Sequence, residues 1–516
     1  AGREAERDGS EGMEGRAFDE GLEAAVARLQ EALKEAGEEG EESEAQARYR
    51  AAWGDLGLPP DRFPLEDGAV SEAQLAALQS EVFGIDSFLP SSAAVTPCGV
   101  FFSGSLRKAP PDAAALLQER LSASESLRDS VRLFLLRDPL YAPSLEVPEP
   151  ASASEDPYEE ELFLISLPPP VVLALPAALL PAAATGSGEA APLPLFAWSA
   201  LSVFTTAGAA LGAPSSAVAP PLAAAESAAA AGSGNMVELL DAAAYAAPIY
   251  ATVAALLLAH DAAHAVAARR HGLPVKPPLL LPSVELGTFG THALLGAYPP
   301  SRTALADFAL SGPLVGTALS AAAFLAGLAL TAAAPAPLLD SFPRLSPAML
   351  HSSLLPSLLV DGLRLYQHAP PDAAASPVPL HPLAIGGFLS LLGNALSLVP
   401  CGRLDGGRAA TACFGRRASE AMGVLSVLVV LSAVALNDGA PELLLLWGGV
   451  VLLPQLLQQG EVPCADEITP PPESRRRAFL ALVVVAILCL SPAPHAEPAL
   501  SLDSFAESFG AAGIAL

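Results

Sequence analysis

The segment LLLAHDAAHAVAARRHG, residues 256–272, determines how the rest of the chain is interpreted. His260 and His264 are four residues apart in an apolar run, so on a helix both imidazoles lie on one face. Polar side chains are costly inside a helix of membrane length and are rarely found there without a function. The spacing is that of the H-E-x-x-H motif, in which two histidines bind zinc and the glutamate is the general base. Because Asp261 stands at the glutamate position, the segment predicts a metal site with an altered base.

The composition indicates a membrane protein. Of the 516 residues, 52% are hydrophobic and 16% are charged, and the mean hydropathy is +0.43. The net charge of −28 comes largely from the N-terminal third and describes a solvated arm more than the core. Such acidity argues against a nucleic-acid partner, which needs a basic face. The five cysteines form no CxxC pair, so neither a disulfide framework nor a cysteine zinc site is predicted.

The first part of the chain is predicted to be soluble. Residues 1–50 indicate an acidic arm that is disordered or contains one amphipathic helix, with apolar residues at helical spacing: Leu22, Val26, Leu29 and Leu33. Residues 51–190 predict a small α+β domain with a linker. The chain begins with Ala1 rather than Met, and removal of a targeting peptide is one expectation.

Several elements of this α+β domain are predicted individually. Residues 71–84 predict a helix capped by Ser71, residues 99–107 a strand with a turn, and residues 114–139 one or two helices followed by a strand at 132–136. The apolar run at 162–180 is interrupted by prolines, so it is not predicted to span a membrane.

The fold class is mainly α, because residues 191–495 predict a polytopic helical membrane core of six to eight segments, followed by a tail at 496–516. The apolar runs lie at 195–211, 241–268, 308–332, 348–365, 382–400, 421–436, 443–457 and 478–490. Several are shorter than the roughly 20 residues of a straight span, so re-entrant or tilted segments are expected. The arginines at 475–477 are expected on the positively biased side of the membrane.

A second polar segment supplies a candidate third ligand. Catalytic zinc takes three protein ligands and leaves one position open for water. In GNALSLVPCGRLDGGRAATACFG, residues 393–415, Asp405 ends an apolar run, and Gly406 and Gly407 let the backbone approach closely and turn. Asn394 and Pro400 fit a helix broken at membrane depth, which is tolerated only where protein or a water-filled cavity covers it.

Taken together, these motifs resemble the site-2 protease family of intramembrane zinc metalloproteases. The resemblance is closer to one plant and algal branch, the ethylene-dependent gravitropism-deficient and yellow-green proteins, and it covers roughly residue 90 to the C-terminus. Five stretches carry it: GVFFSGSLR at 99–107, with Ser105 where the branch has Asn, LGTFGTHALLGAYPPSRTALADFALSGP at 286–313, HPLAIGGF at 381–388, NALSLVPCGRLDGGRA at 394–409 and EVPCADEIT at 461–469.

The resemblance implies a membrane-embedded protease core in a chloroplast membrane, expected to be the thylakoid, that acts on membrane-spanning proteins. It implies zinc as the cofactor, with His260, His264 and Asp405 as ligands and Asp261 at the position of the catalytic glutamate. The resemblance extends to the start of the helix that follows the loop flanking the family's cleft. The matching residues are Asp307, Gly312 and Pro313.

Asp261 leaves two functions open. Its carboxylate sits on a stem one methylene shorter than that of glutamate, and small misplacements cost on the order of a hundredfold in rate. One hypothesis is an active protease with Asp261 as base. The other is a pseudoprotease that holds clients without cutting them, as the branch includes members without the metal motif that are regarded as non-proteolytic. A transporter is a weaker third class, because no inverted repeat accompanies the intramembrane His and Asp residues.

The remaining polar features have structural interpretations. Residues 104–107 are predicted to form a structural turn, and the sequence gives no oligomeric state. Packing or hydrogen-bonding roles are predicted for the other histidines of the hydrophobic region: His292, His351, His368, His381 and His495.

Overall fold

The computed structural model describes residues 44–58, 62–65, 70–141, 168–179, 236–283, 287–339, 341–345, 350, 353–362, 378–436, 447–452, 461–491 and 493. The predictions for the arm at 1–43, the apolar run at 195–211 and the C-terminal tail lie outside these residues.

A four-stranded antiparallel sheet with helices on both faces forms the first part of the fold. Its strand order is β1-β2-β4-β3. The elements are α1 (Glu44–Asp55), α2 (Glu72–Ala77, continued by a π-helical turn at Leu78–Val82), β1 (Phe88–Thr96), β2 (Gly99–Leu106), α3 (Pro110–Ala123), β3 (Val131–Arg137), β4 (Pro170–Pro176) and a 3-10 turn at Ala177–Leu179.

Several predicted elements of this α+β part are confirmed. Ser71 caps α2 in a capping box with Gln74, as the Ser at the head of the apolar stripe predicts. The predicted strands at 99–107 and 132–136 are β2 and β3, and a helix, α3, lies between them. Residues 104–106, predicted to be a turn, instead continue β2, where Gly104 pairs with Pro90 of β1.

The central strand β4 is absent from the sequence prediction. Val172 and Ala174 pack into one core with α2 and α3, whereas Val171 and Leu173 pack into the other with Trp53 of α1. Because both faces of the strand are buried, its sequence is continuously apolar and lacks the alternation that identifies a half-exposed strand.

The second part of the fold is helical, with two small β pairs. Its elements are α4 (Met236–Arg270), β5 (Val275–Ser283), β6 (Gly287–Leu295), α5 (Arg302–Ala333), α6 (Ala336–Leu339), β7 (Arg344–Leu345), α7 (Leu354–Gly362), β8 (Val378–Pro379), α8 (Pro382–Ser397), α9 (Asp405–Phe414), α10 (Arg416–Leu436), a π-helical turn at Gly448–Leu452 and α11 (Glu473–Leu490). Strands β5 and β6 form an antiparallel hairpin, where the sequence predicts no strand.

Two of the described helices are long and apolar enough to cross a membrane, by length and composition: Ala247–Arg270 within α4, and Arg302–Ala333. The predicted six to eight segments are thus supported in part. Within the predicted run at 348–365 the structure describes the nine-residue α7, and the span itself stays a prediction. Two hydrogen bonds fix the start of α7 to the end of α11. The Ser353 hydroxyl donates to the Cys489 carbonyl, and the Leu354 N–H donates to the Ser491 carbonyl.

Close backbone contact joins α4, α5 and α8. A Cβ on Gly387 of α8 would lie 2.5 Å from the backbone nitrogen of Phe324 on α5, and one on Gly327 would lie 2.1 Å from that of Ala384. A Cβ on Gly386 would lie 2.7 Å from the side chain of Thr252 and 3.0 Å from the Ile249 carbonyl, both on α4. Small residues at such crossings let helices pack at short distance without a gap.

The segment 461–469 connects the two parts of the fold. The N–H of Leu135 in edge strand β3 donates to the Ala465 carbonyl at 2.8 Å, and the Glu467 N–H donates to the Leu135 carbonyl at 2.9 Å. The Ala465 N–H donates in turn to the Pro299 carbonyl, just before α5. The segment therefore extends the sheet and holds it against the start of α5.

A buried ion pair anchors this segment to α9. The Arg408 guanidinium donates to the Glu461 carboxylate, and both side chains are almost fully buried. Burial alone raises the pKa of the Glu461 carboxyl, but the positive charges of Arg408 and Arg403 hold that pKa below its usual value. The pair therefore favours the folded state at neutral pH, where the carboxylate is charged.

We expect Gly387→Ala to lower the free energy of unfolding by about 1–3 kcal/mol, because the added methyl forces α5 and α8 apart. Gly393→Ala, on the same helix, is the matched control, because no described residue beyond its own stretch of helix comes within 4 Å of its Cβ. In a helix that change is expected to be stabilising by up to about 1 kcal/mol. Thermal unfolding of both variants in detergent checks this, and equal stabilities would contradict the packing.

We expect Glu461→Gln to lower the free energy of unfolding at pH 7 by about 3 kcal/mol, because the Arg408 charge stays buried without its partner. The native pKa is depressed, so the difference shrinks as the pH falls below about 4, where the carboxyl takes up a proton. Denaturant unfolding at several pH values measures this. Glu473→Gln, at an exposed ion pair, is the control and is expected to change stability by less than about 1 kcal/mol. A difference independent of pH would contradict the role of the ion pair.

Candidate metal centre

Three metal-ligating side chains converge between α4 and α9. The Nε2 atoms of His260 and His264 lie 3.0 Å apart. Asp405, the first residue of α9, places Oδ2 3.3 Å from Nε2 of His260 and Oδ1 3.5 Å from Nε2 of His264. All three side chains are buried, and they form a cluster that can hold a metal ion.

Hydrogen bonds on the far side of each ring set the orientation of the imidazoles. Nδ1 of His264 lies 2.7 Å from the Phe308 carbonyl, which only accepts, so this nitrogen carries the proton. Nδ1 of His260 lies 2.8 Å from Oδ1 of Asn394. The Asn394 amide is itself oriented, because Nδ2 donates to the Ser390 carbonyl at 2.7 Å. Both Nε2 lone pairs therefore point into the centre, as ligating histidines require.

This arrangement needs a positive charge at its centre. Two lone pairs and a carboxylate face one another at 3.0–3.5 Å, and Oδ2 of Asp405 accepts no hydrogen bond from any residue that the structure describes. A tetrahedral zinc with bonds of about 2.0–2.2 Å separates its ligand atoms by about 3.3 Å. The donor set and its spacings fit a zinc ion with three protein ligands and one open position.

Two glycines on α5 make room for the histidines. A Cβ on Gly312 would lie 2.2 Å from Nε2 of His264, and one on Gly316 would lie 2.2 Å from Oδ1 of Asn394 and 2.9 Å from Nδ1 of His260. Both distances are too short for any side chain. The backbone of α5 therefore forms one wall of the centre.

The break between α8 and α9 places Asp405. Helix α8 ends at Ser397, and the chain passes through Pro400 before α9 begins at Asp405. A Cβ on Gly406 would lie 2.0 Å from the Leu398 carbonyl, and one on Gly407 would lie 2.3 Å from that of Gly402. The two glycines thus allow the start of α9 to lie directly against the connecting loop. The two glycines predict a turn after Asp405, whereas the structure has a helix there.

Asp261 lies beside the cluster on α4, one residue after His260. Its Oδ1 accepts a hydrogen bond of 2.6 Å from the Thr291 hydroxyl of β6. A partly open cavity lies next to His260, between α4, β6 and α8. Its wall is partly apolar, with Val253, Leu257 and Leu389, and partly polar: Thr288, Thr291, Ser390 and Asn394.

The other residues singled out in the sequence lie outside the cluster. Pro313 is inside α5, which begins earlier, at Arg302. Asp307 bonds His271 at 3.0 Å and Arg475 at 2.5 Å, near the start of α5. His381 caps α8 through Nδ1. His292 is half-buried on β6. Three histidines lie outside the described residues: His351, His368 and His495.

Three contributors to the centre are not found by sequence reasoning: the Phe308 carbonyl, Gly316 and Thr291. A backbone carbonyl carries no side-chain signal. The spacing of Gly312 and Gly316, four residues apart on a helix, is a signal for close packing and identifies that face of α5. Thr291 lies in the β5–β6 hairpin, whose strands the sequence does not predict.

Comparison with known proteins identifies a family model and several relatives that the chain is similar to. Residues 248–436 match the family model described as Peptidase family M50. The chain is 32% identical over 247 residues to "Probable zinc metalloprotease EGY1, chloroplastic" of Arabidopsis thaliana, covering 48% of this chain and 43% of that protein. It is 26% identical over 450 residues to "Probable zinc metalloprotease EGY2, chloroplastic" of Oryza sativa subsp. japonica, covering 87% and 71%. It is also 33% identical over 259 residues to "Probable zinc metalloprotease EGY3, chloroplastic" of Oryza sativa subsp. indica, covering 48% and 42%.

These matches confirm the resemblance drawn from the sequence. The alignments span less than half the length of the EGY1 and EGY3 relatives. No solved structure matches the chain.

We expect Gly312→Ala to abolish tight zinc binding, because the added methyl displaces the imidazole of His264 from the centre. Zinc content after purification and dialysis, measured by atomic emission, checks this. Gly423→Ala on α10 is the control, because the nearest atoms to its Cβ are at 3.5 Å, an ordinary contact. A Gly312→Ala protein that keeps its zinc would contradict the described wall of the centre.

Proposed function

Because residues 248–436 carry a Peptidase family M50 domain, we propose that this protein is a zinc-dependent intramembrane metalloendopeptidase that hydrolyses peptide bonds in membrane-spanning proteins. The observation that carries the proposal is the convergence of His260, His264 and Asp405, with both Nε2 lone pairs directed inward. Three protein ligands and an open position are typical of catalytic zinc, whereas structural zinc sites are closed by four ligands.

Different residues of the chain have different roles in the proposed hydrolysis. His260, His264 and Asp405 would hold the ion, which would polarise the scissile carbonyl and lower the pKa of the attacking water. Asp261 is the general base: it accepts the proton of that water and passes it to the amine that leaves. Asn394 and the Phe308 carbonyl keep both imidazoles in the ligating tautomer.

The cavity beside His260 is the proposed site of the scissile segment. It borders the metal centre directly, and its mixed wall suits a polypeptide with apolar side chains and an exposed backbone. Burial of the cluster excludes most water, which strengthens the electrostatic interactions with the developing charge.

The proposed setting is a chloroplast membrane, with the thylakoid as the candidate, which rests on the chloroplastic names of the relatives and on the apolar surfaces of the helices. Large apolar side chains on three helices are exposed and suit contact with lipid: Leu314, Leu319, Leu325 and Leu330 on α5, Val424, Leu425, Leu428 and Val429 on α10, and Leu480, Val484 and Ile487 on α11.

A second candidate is a pseudoprotease that binds zinc and membrane clients without cutting them. The observation that favours it is Asp261, whose shorter stem withdraws the carboxylate from the position that a glutamate would reach. The two candidates share the metal centre and differ only in turnover.

The proposal is tested by zinc content and cleavage of a model membrane-spanning peptide in liposomes. The native protein is expected to hold about one zinc per chain and to cleave the peptide, and His260→Ala is expected to lose both. His271→Ala, in the turn that follows α4, is the histidine control and is expected to keep its zinc, because His271 bonds Asp307 outside the centre. If the native protein holds zinc but is inert while Asp261→Glu cleaves, the pseudoprotease is correct and the protease proposal is wrong.

A further inference from the structure

We propose that Thr291 is a positioning residue for Asp261, so that the two act as a unit in place of a single glutamate; this inference rests on the proposed function. The Thr291 hydroxyl donates to Oδ1 of Asp261 at 2.6 Å and joins β6 to α4. Such a short bond to a charged acceptor is among the stronger hydrogen bonds in proteins.

The hydrogen bond from Thr291 compensates for the shorter side chain of Asp261 by fixing the position of its carboxylate. A carboxylate held at one oxygen has a fixed plane, and the lone pairs of its other oxygen remain for a proton. The side chain then loses little freedom when it meets the attacking water, and preorganisation of this kind contributes directly to rate. An unheld aspartate would instead sample rotamers that face away from the centre.

Thr291 is itself held rigidly. It pairs with Leu280 in the hairpin, and two residues away the Ala293 carbonyl accepts from Arg408 at 2.7 Å. On the other side, Phe289 is buried against Trp447 and Leu404. Arg408 and Asp405 lie on one helix, so the strand that carries Thr291 is fixed to the helix that carries a metal ligand.

The bond is specific to Thr291 within its strand. Thr288 also lines the cavity, but its hydroxyl donates to the Leu281 carbonyl at 2.8 Å and so serves the hairpin itself. Thr291 is the β6 hydroxyl that bonds across to α4, among the residues that the structure describes.

Thr291→Val tests the role, since valine keeps the shape and removes the hydroxyl. With the peptide substrate, kcat is expected to fall about tenfold or more, while KM stays within about twofold and zinc content is unchanged. Thr291→Ser is expected to restore most of the rate. Thr252→Val on α4 is the matched control, because its hydroxyl donates within the same helix, to the Pro248 carbonyl at 2.9 Å, and to no other residue that the structure describes. A Thr291→Val protein with native kcat, or a Thr252→Val protein that loses as much, overturns the inference.

A second readout needs no activity. In zinc-free protein, the melting temperatures of Asp261→Ala, Thr291→Val and the double variant are expected to be non-additive, as for two residues in direct contact. Additive shifts overturn the inference even if the native enzyme cleaves. A native protein that binds zinc but does not cleave contradicts the proposed function and with it this role, so the two failures are distinguishable.

Discussion

Electrostatic repulsion at the centre of the helical part is the constraint on which the structure depends. Two imidazole nitrogens and a carboxylate lie 3.0–3.5 Å apart, and the hydrogen bonds made by both Nδ1 atoms favour the tautomer whose Nε2 lone pair faces the carboxylate. Burial makes this costly, because the protein interior screens such groups less than bulk water does. A cation among the three atoms converts the repulsion into ligation.

The surrounding packing serves this convergence. The α5 backbone lies against both rings because Gly312 and Gly316 have no side chains, and Asn394 of α8 reaches His260 for the same reason. Arg408 extends the arrangement outward, since it bonds both Ala293 of the hairpin and Glu461 of the connecting segment. The metal centre, the hairpin and the sheet are thus linked through one buried guanidinium.

Much of the centre follows from the sequence, because ligand spacing is a local property. Four residues on a helix bring His260 and His264 to one face, and a polar residue before two glycines identifies Asp405 at the broken helix. The fold is less predictable where both faces of an element are buried. Strand β4 lacks the alternation of apolar and polar residues that identifies a half-exposed strand. The β5–β6 hairpin has an irregular register, with a shift between Lys276 and Leu279. Thr291 could not be predicted, since its partner is known only once that hairpin is placed.

The central claim is that one zinc ion is bound by two imidazoles and one carboxylate. X-ray absorption at the zinc edge of the purified protein measures this most directly, because it distinguishes light ligands from sulfur. The account predicts only nitrogen and oxygen at about 2.0–2.2 Å, with the outer-shell scattering of two imidazole rings. A sulfur contribution at about 2.3 Å, from one of the buried cysteines, or a protein that binds no zinc, would contradict it.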